Sequence, residues 1–372
     1  MTSQIANVRV VFPGEKIATG TVRIEAGQIA GFNQHPVPTN AQLLTPGLID
    51  LHTHGIGQNL YERSPQEIAT GATVLPQFGT TCVLPTLYRV MNRESLPLLA
   101  KLAAALPASM PGFHMEGPFL ALPGAGAATI PGDLAFLEEL LKYKVRAMSV
   151  SPDTPNILPV IRRLRDRGVT VFMTHTRASA EQSEAAIAAG ATHATHFYDV
   201  FPIPAETEPG VRQVGAVEAI LADKRVSVDF IADGVHVHPL AIKCALAGKT
   251  WAGVVLITDS NIGAGLPAGV HDTPWGFKVR VQAGDGARHA ENGTLAGSAL
   301  TMNVGMKNLL KWLPDLPAEQ VWAMGTLNPA RVVGLENKGR IAIGADADLV
   351  LWDEALNPVK TWVGGELVYD KV

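Results

Sequence analysis

The chain has 372 residues, 47% of them apolar and 17% charged, which provides for a large buried core and excludes a disordered or small disulfide-stapled protein. With 30 Lys and Arg against 34 Asp and Glu the formal net charge is −4 and no long run of one sign occurs, so the basic footprint of a nucleic-acid or anionic-membrane binder is absent. Two cysteines, a start without an apolar signal core and no 18-residue apolar stretch predict a cytoplasmic protein whose partner is a small molecule.

In chain order, Asn7–Phe12 and Thr21–Ile29 alternate and are rich in β-branched residues, which predicts strands. From Gly47 onward, eight short apolar runs alternate with longer segments: Leu48–His54, Thr81–Leu87, Gly112–Glu116, Val145–Val150, Val169–His175, Ala194–Tyr198, Val226–Ala232 and Val254–Asp259. Continuous apolar runs of this length suit parallel strands covered on both faces. Between them, Asp133–Lys142, Asn156–Arg167, Ala180–Ala189 and Val217–Asp223 carry apolar residues at helical spacing. Eight strands with crossovers predict a (β/α)8 barrel over residues 47–335. After the eighth run, Gly263–Gly269 reads as a mobile loop, and Gly276–Val281 with Gly293–Ala296 as an inserted hairpin. Asp348–Trp352 and Thr361–Tyr369 are strand-like again, so residues 1–46 and 336–372 are expected to meet in one small β-sandwich domain.

The polar residues fall at the C-terminal ends of the barrel strands, where active sites of such barrels are built. The first strand ends in His52-Thr53-His54, whose spacing points both imidazoles to one side. The third ends in His114-Met115-Glu116, the fifth in Thr174-His175, the sixth in Thr195-His196 and the eighth in Thr258-Asp259. A lone core imidazole is more often hydrogen-bonded than ligating, but several imidazoles and carboxylates on neighbouring strand ends make a donor set for a divalent ion. Zn2+ is the first expectation, with Fe2+ or Mn2+ suited as well. His114 shares a face with Glu116 and is expected to orient a ligand. His35, His271 and His289 fall in expected solvated loops, His193 lacks a strand-end argument, and Asp233 before Gly234 reads as a turn residue.

The segments Pro46–Gly55 (PGLIDLHTHG), His114–Leu120 (HMEGPFL), Ala194–Tyr198 (ATHFY), Ile231–His236 (IADGVH), Leu256–Asp259 (LITD) and Gly293–Met302 (GTLAGSALTM) together resemble the N-acetylglucosamine-6-phosphate deacetylase family of the amidohydrolase superfamily. Thr326–Ala330 and Gly339–Asp348 extend the likeness over nearly the whole chain. The resemblance implies a metal-dependent hydrolase that removes an N-acetyl group from an amino sugar, and a homodimer. By position it implies Glu116, His175 and His196 as metal ligands, with His52 and His54 available for a second ion, hence one or two ions per chain. It implies Asp259 as the catalytic acid/base and His236 as the imidazole that meets substrate at the scissile amide. Hydrolysis of another N-acyl or cyclic amide, and a non-catalytic ligand-binding barrel, are the alternatives.

Three stretches depart from the family. Residues 121–128 lack its Lys and His, Asp199-Val200-Phe201 replaces Asn-Ala-Met, and Thr207-Glu208-Pro209-Gly210 replaces the Arg-Glu-Pro-Gly that binds phosphate. The loss of cations and the gain of Asp199 predict a poor fit for N-acetylglucosamine 6-phosphate held in the family manner. Arg177, two residues beyond His175, and Arg212 remain the expected contacts for an anionic group.

Overall fold

Eight short, mostly apolar runs become eight parallel strands because each is too short for a helix and largely buried on both faces. In the computed structural model, which describes residues 2–124 and 126–371, they are β1 (Leu48–Thr53), β2 (Thr80–Leu87), β3 (Phe113–Glu116), β4 (Val145–Val150), β5 (Thr170–Met173), β6 (Ala191–Ala194), β7 (Ser227–Ile231) and β8 (Val254–Ile257). Ala125, within the divergent stretch 121–128, lies outside the described residues. Consecutive strands are neighbours from β1 to β8. The ring closes at the mouth, where the Asp259 N–H donates to the His52 carbonyl at 2.8 Å and Thr53 bridges Ser260 in parallel. Asp50 caps this seam, accepting from the Thr258 hydroxyl at 2.5 Å and the Thr258 N–H at 3.2 Å. Burial of this carboxyl outweighs those hydrogen bonds, pushing its pKa up to about 7.

The crossover helices lie where the spacing places them. Ile157–Asp166 turns Ile157, Val160, Ile161 and Leu164 inward, and Ala180–Ala189 starts in a capping box between Ser179 and Gln182. Inside the barrel, Ile49, Leu84, Phe172 and Ile257 belong to one buried cluster that floors the mouth. Two residues further along three of these strands come Thr86, Thr174 and Asp259, so alternation carries each strand from apolar floor to polar rim.

The two tails meet, as expected, in a seven-stranded sheet. Leu43–Pro46 pairs parallel with Thr2–Phe12 and antiparallel with Leu349–Trp352, so the N- and C-terminal segments share one ladder. Trp352 packs this sheet against the barrel side, its ring tilted at 51° to that of Trp322 with 5.2 Å between centroids, while its Nε1 donates to Thr45 Oγ1 within the sheet at 2.9 Å.

Several sequence expectations are corrected. The sixth strand spans Ala191–Ala194 rather than Ala194–Tyr198, and Thr21–Ile29 divides at Ala26-Gly27, both at positive φ, into Lys16–Glu25 and Gln28–Gln34. The inserted hairpin is a three-stranded sheet of Gly269–Asp272, Lys278–Val281 and Arg288–His289. The segment 293–296 turns at Gly293 (φ +74) and adds only the single bridge Arg288–Leu295. The glycine-rich 263–269 segment is tied down at its start: the Gly57 N–H donates to the Ala264 carbonyl, the Gly263 N–H to the Gly57 carbonyl, and Gly265 leaves no room for a Cβ against Phe78.

Candidate active site

Three strand ends repeat one device. β5, β6 and β8 each stop at an apolar residue, continue through a threonine, and present a polar residue two places beyond the strand: His175, His196 and Asp259. All three sit at positive φ, +49°, +35° and +46°. Non-glycine residues hold that conformation at a cost of about 1–3 kcal/mol each, and such strain collects at functional sites. The threonines serve other strands: Thr174 Oγ1 lies 3.2 Å from His196 Nε2 beyond the adjacent β6, Thr195 Oγ1 reaches across the mouth to His52 Nδ1 of β1 at 2.9 Å, and the Thr258 hydroxyl holds Asp50 across the closing seam. The sequence shows these three threonines, but their pairing needs the barrel's closure.

Glu116, at the end of β3, is the hub. Its Oε1 lies 3.0 Å from His175 Nε2 and 3.2 Å from His196 Nε2; its Oε2 lies 3.6 Å from His52 Nε2 and 3.5 Å from His54 Nε2. Asp259 Oδ1 completes the second side, 3.1 Å from His54 Nε2 and 3.4 Å from His52 Nε2. Two overlapping sets, His52–His54–Asp259 and His52–Glu116–His196, place all their donor atoms within 4.8 Å of one another. His175 joins through Glu116 and belongs to neither compact set. Gly124 is required above it, because a Cβ there would sit 2.7 Å from His175 Cε1.

The hydrogen-bonding pattern fits a cation. His54 Nδ1 can only donate to the Thr86 carbonyl, 3.1 Å away, so the neutral ring turns the Nε2 lone pair toward carboxylate oxygens. His52 Nε2 is buried with no hydrogen-bond partner while its Nδ1 is engaged by Thr195. Acceptors facing acceptors in a buried cluster require protons or a metal ion between them. With protons alone, burial opposes charging His54 and His196, yet Asp259 and Glu116 raise them to about 9 and about 10 respectively. Burial likewise opposes ionisation of Glu116 and Asp259, but the surrounding imidazoles hold both well below the ordinary carboxylate range.

His114 stands beneath the hub, donating from Nδ1 to the Leu51 carbonyl (3.1 Å) and meeting Ser149 Oγ at Nε2 (2.7 Å), with its ring edge-on to His52. Asp233 does more than turn the chain: Oδ1 accepts the Val235 and His236 N–H groups, and Oδ2 lies 2.6 Å from His236 Nδ1. Burial works against the His236 imidazolium, but the hydrogen bond and charge of Asp233, with Asp259 and Asp199, raise its pKa. His193, without an assigned role in the sequence, joins Asp229 at 2.8 Å, and Asp229 accepts the His196 N–H at 2.5 Å.

These groups open into a cavity of about 510 Å³ whose wall includes Glu116, Asp199, His236 and Asp259. Arg177 and Arg212 do not line it. Arg177 is exposed, its N–H bonded to Asp153, and the Arg212 side chain is 80% exposed and paired with Glu218 at 2.7 Å. His289, expected in a solvated loop, instead joins the wall, with its ring stacked on Phe277.

The model of the amidohydrolase family matches residues 43–368. The chain belongs to the amidohydrolase family. This amidohydrolase is 30% identical to the N-acetylglucosamine-6-phosphate deacetylase of Lysinibacillus sphaericus, over 95% of this chain and 94% of the relative. It is 31% identical to an N-acetylgalactosamine-6-phosphate deacetylase of Escherichia coli O157:H7, over 93% and 94%. Among solved structures, the N-acetylglucosamine-6-phosphate deacetylase of Thermotoga maritima superposes with a TM-score of 0.85 at 28% identity, covering 99% of this chain and 100% of that one. A mutant Mycobacterium smegmatis enzyme in complex with N-acetyl-D-glucosamine-6-phosphate gives a TM-score of 0.84 at 26% identity, with 99% of each covered. This amidohydrolase is thus an enzyme that hydrolyses carbon–nitrogen bonds, and its family implies a divalent metal for which the His, Asp and Glu cluster is suited. Among the described residues, no helix is long and apolar enough to cross a membrane.

Proposed function

We propose that this amidohydrolase deacetylates an N-acetylated amino sugar, using Asp259 for proton transfer and the Glu116-centred cluster to hold metal. The observation that carries this reading is Glu116 itself, each of whose oxygens faces two imidazoles, with Asp259 against the His52–His54 side. His175, His196 and Glu116 would hold one ion, and His52 and His54 would offer donors for a second. The imidazole-rich donor set favours zinc. A bound divalent ion polarises an amide carbonyl and acidifies a water that is otherwise a poor nucleophile.

The chain's own groups handle the protons. Asp259 is ionised at neutral pH, so it accepts the proton of the attacking water and returns it to the departing nitrogen. His236, fixed by Asp233 at Nδ1 and favoured as imidazolium, offers its Nε2–H to the oxygen that gains negative charge. Because the protonated form is the active one, activity is lost as pH rises through the His236 pKa. Asp233→Asn lowers that pKa, so the alkaline limb of the kcat/KM profile is expected to move to lower pH, with a loss of about 10-fold near neutrality. A limb that stays in place removes His236 from this role.

Acetate release from a panel of N-acetylated hexosamines, their phosphates and N-acyl amino acids tests the proposal. Deacetylation of an amino sugar, abolished by chelation and restored by zinc, is the expected result. Turnover confined to N-acyl amino acids would replace it with the amide-hydrolase alternative.

A further inference from the structure

Tyr88 and Arg89 follow β2 and enter the cavity wall. The Arg89 guanidinium carbon lies 5.2 Å from the Tyr88 ring centroid and 5.2 Å from that of Trp275, which the inserted sheet carries over the mouth. The stack then continues from Trp275 to Phe277 (5.7 Å, 26°) and from Phe277 to His289 (4.7 Å, 20°). Beneath it, buried Glu62 accepts the Tyr88 and Arg89 backbone N–H groups at 3.3 and 3.1 Å, so the position of this turn is built rather than incidental. The guanidinium carbon thus lies over two aromatic rings at the cavity wall, a setting that suits a planar cation of the kind that binds carboxylate and phosphate oxygens.

Charge placement around the ring gives this stack its meaning. Arg89 is the one arginine or lysine among the described residues that line the cavity, whereas Glu116, Asp199 and Asp259 all face it. Asp199 follows β6, and β2 lies four strands from β6 in an eight-stranded ring, so the cation and this acid stand on opposite walls. Arg177 and Arg212, the sequence's candidates on the β5 and β6 side, lie off the cavity.

We infer that Arg89 is the specificity-determining contact for an anionic group, a carboxylate or a phosphate ester, on the amine-bearing part of the substrate, with Trp275 holding its guanidinium at the cavity wall. This assignment rests on the proposal that the cavity deacetylates an amino sugar. It places the anion on the β2 wall and leaves the β6 wall, with Asp199, for neutral hydroxyl groups.

The test compares kcat/KM for N-acetylglucosamine 6-phosphate and N-acetylglucosamine in wild type, Arg89→Met and Arg89→Lys, with an N-acetylated acidic amino acid and its amide as the carboxylate pair. The anionic-to-neutral ratio is expected to exceed one in wild type for at least one pair and to fall about 10- to 10²-fold in Arg89→Met, chiefly through KM, with partial recovery in Arg89→Lys. The pair that responds identifies the anion. No anionic preference in wild type, or equal losses on both members of each pair, overturns the assignment. If wild type releases no acetate from any sugar, the deacetylase reading fails, and calorimetric binding of the same anionic compounds then decides Arg89: weaker binding in Arg89→Met supports it, and unchanged binding overturns it.

Discussion

Asp259→Asn is expected to keep the fold and the bound metal while lowering kcat by at least about 10²-fold, because an amide of the same volume can neither take nor return the proton. The geometry makes this substitution informative. Asp259 sits two residues past β8 in a left-handed conformation that asparagine tolerates, and its backbone N–H, which closes the barrel onto His52, is untouched. One side-chain oxygen remains to face His52 and His54. Retained metal content with lost turnover assigns Asp259 to proton transfer. Lost metal would make it a ligand of the His52–His54 side, and a near-normal kcat would move proton transfer to His236.

The same residue shows how much of this enzyme can be read from its sequence. The apolar runs, the Thr-His, Thr-His and Thr-Asp endings and the His-Thr-His pair locate the strands and most of the polar mouth, because strand alternation is a local property. Arg177 marks where that logic stops. Period two puts it on the His175 face, but the strand stops at Met173, His175 turns the chain at φ +49, Thr176 bonds Asp153 at 2.5 Å, and Arg177 emerges into solvent. Asp233 looked like a turn residue because the capping of two N–H groups is a local role, whereas its grip on His236 depends on how the turn is packed. The ring stack of Trp275, Phe277 and His289 was not legible at all. The inserted sheet reaches the mouth by packing Val279 with Leu60 and Ile262, contacts between segments more than 200 residues apart in part, and no local pattern encodes them.

Glu116→Ala is expected to have the other large effect: loss of bound divalent metal and a fall in kcat/KM of about 10³-fold or more, since metal polarisation contributes several kcal/mol to such reactions. The argument turns on the two faces of this carboxylate. Oε1 lies within 3.2 Å of His175 and His196, and Oε2 within 3.6 Å of His52 and His54, so a single truncation removes the negative charge from both halves of the cluster. Four buried imidazoles left around a divalent ion would carry less compensating charge, and burial of an uncompensated cation is costly. His52→Ala, by contrast, leaves Glu116 and the His175–His196 pair on Oε1 in place, although His52 belongs to both compact donor sets, and is expected to remove one ion where wild type binds two. Elemental analysis of the purified variants separates the cases. Full metal content and wild-type turnover in Glu116→Ala would show that the ion is held elsewhere. A single wild-type ion that survives His52→Ala would reduce His52 and His54 to supports for Asp259, whose carboxylate they flank at 3.4 and 3.1 Å.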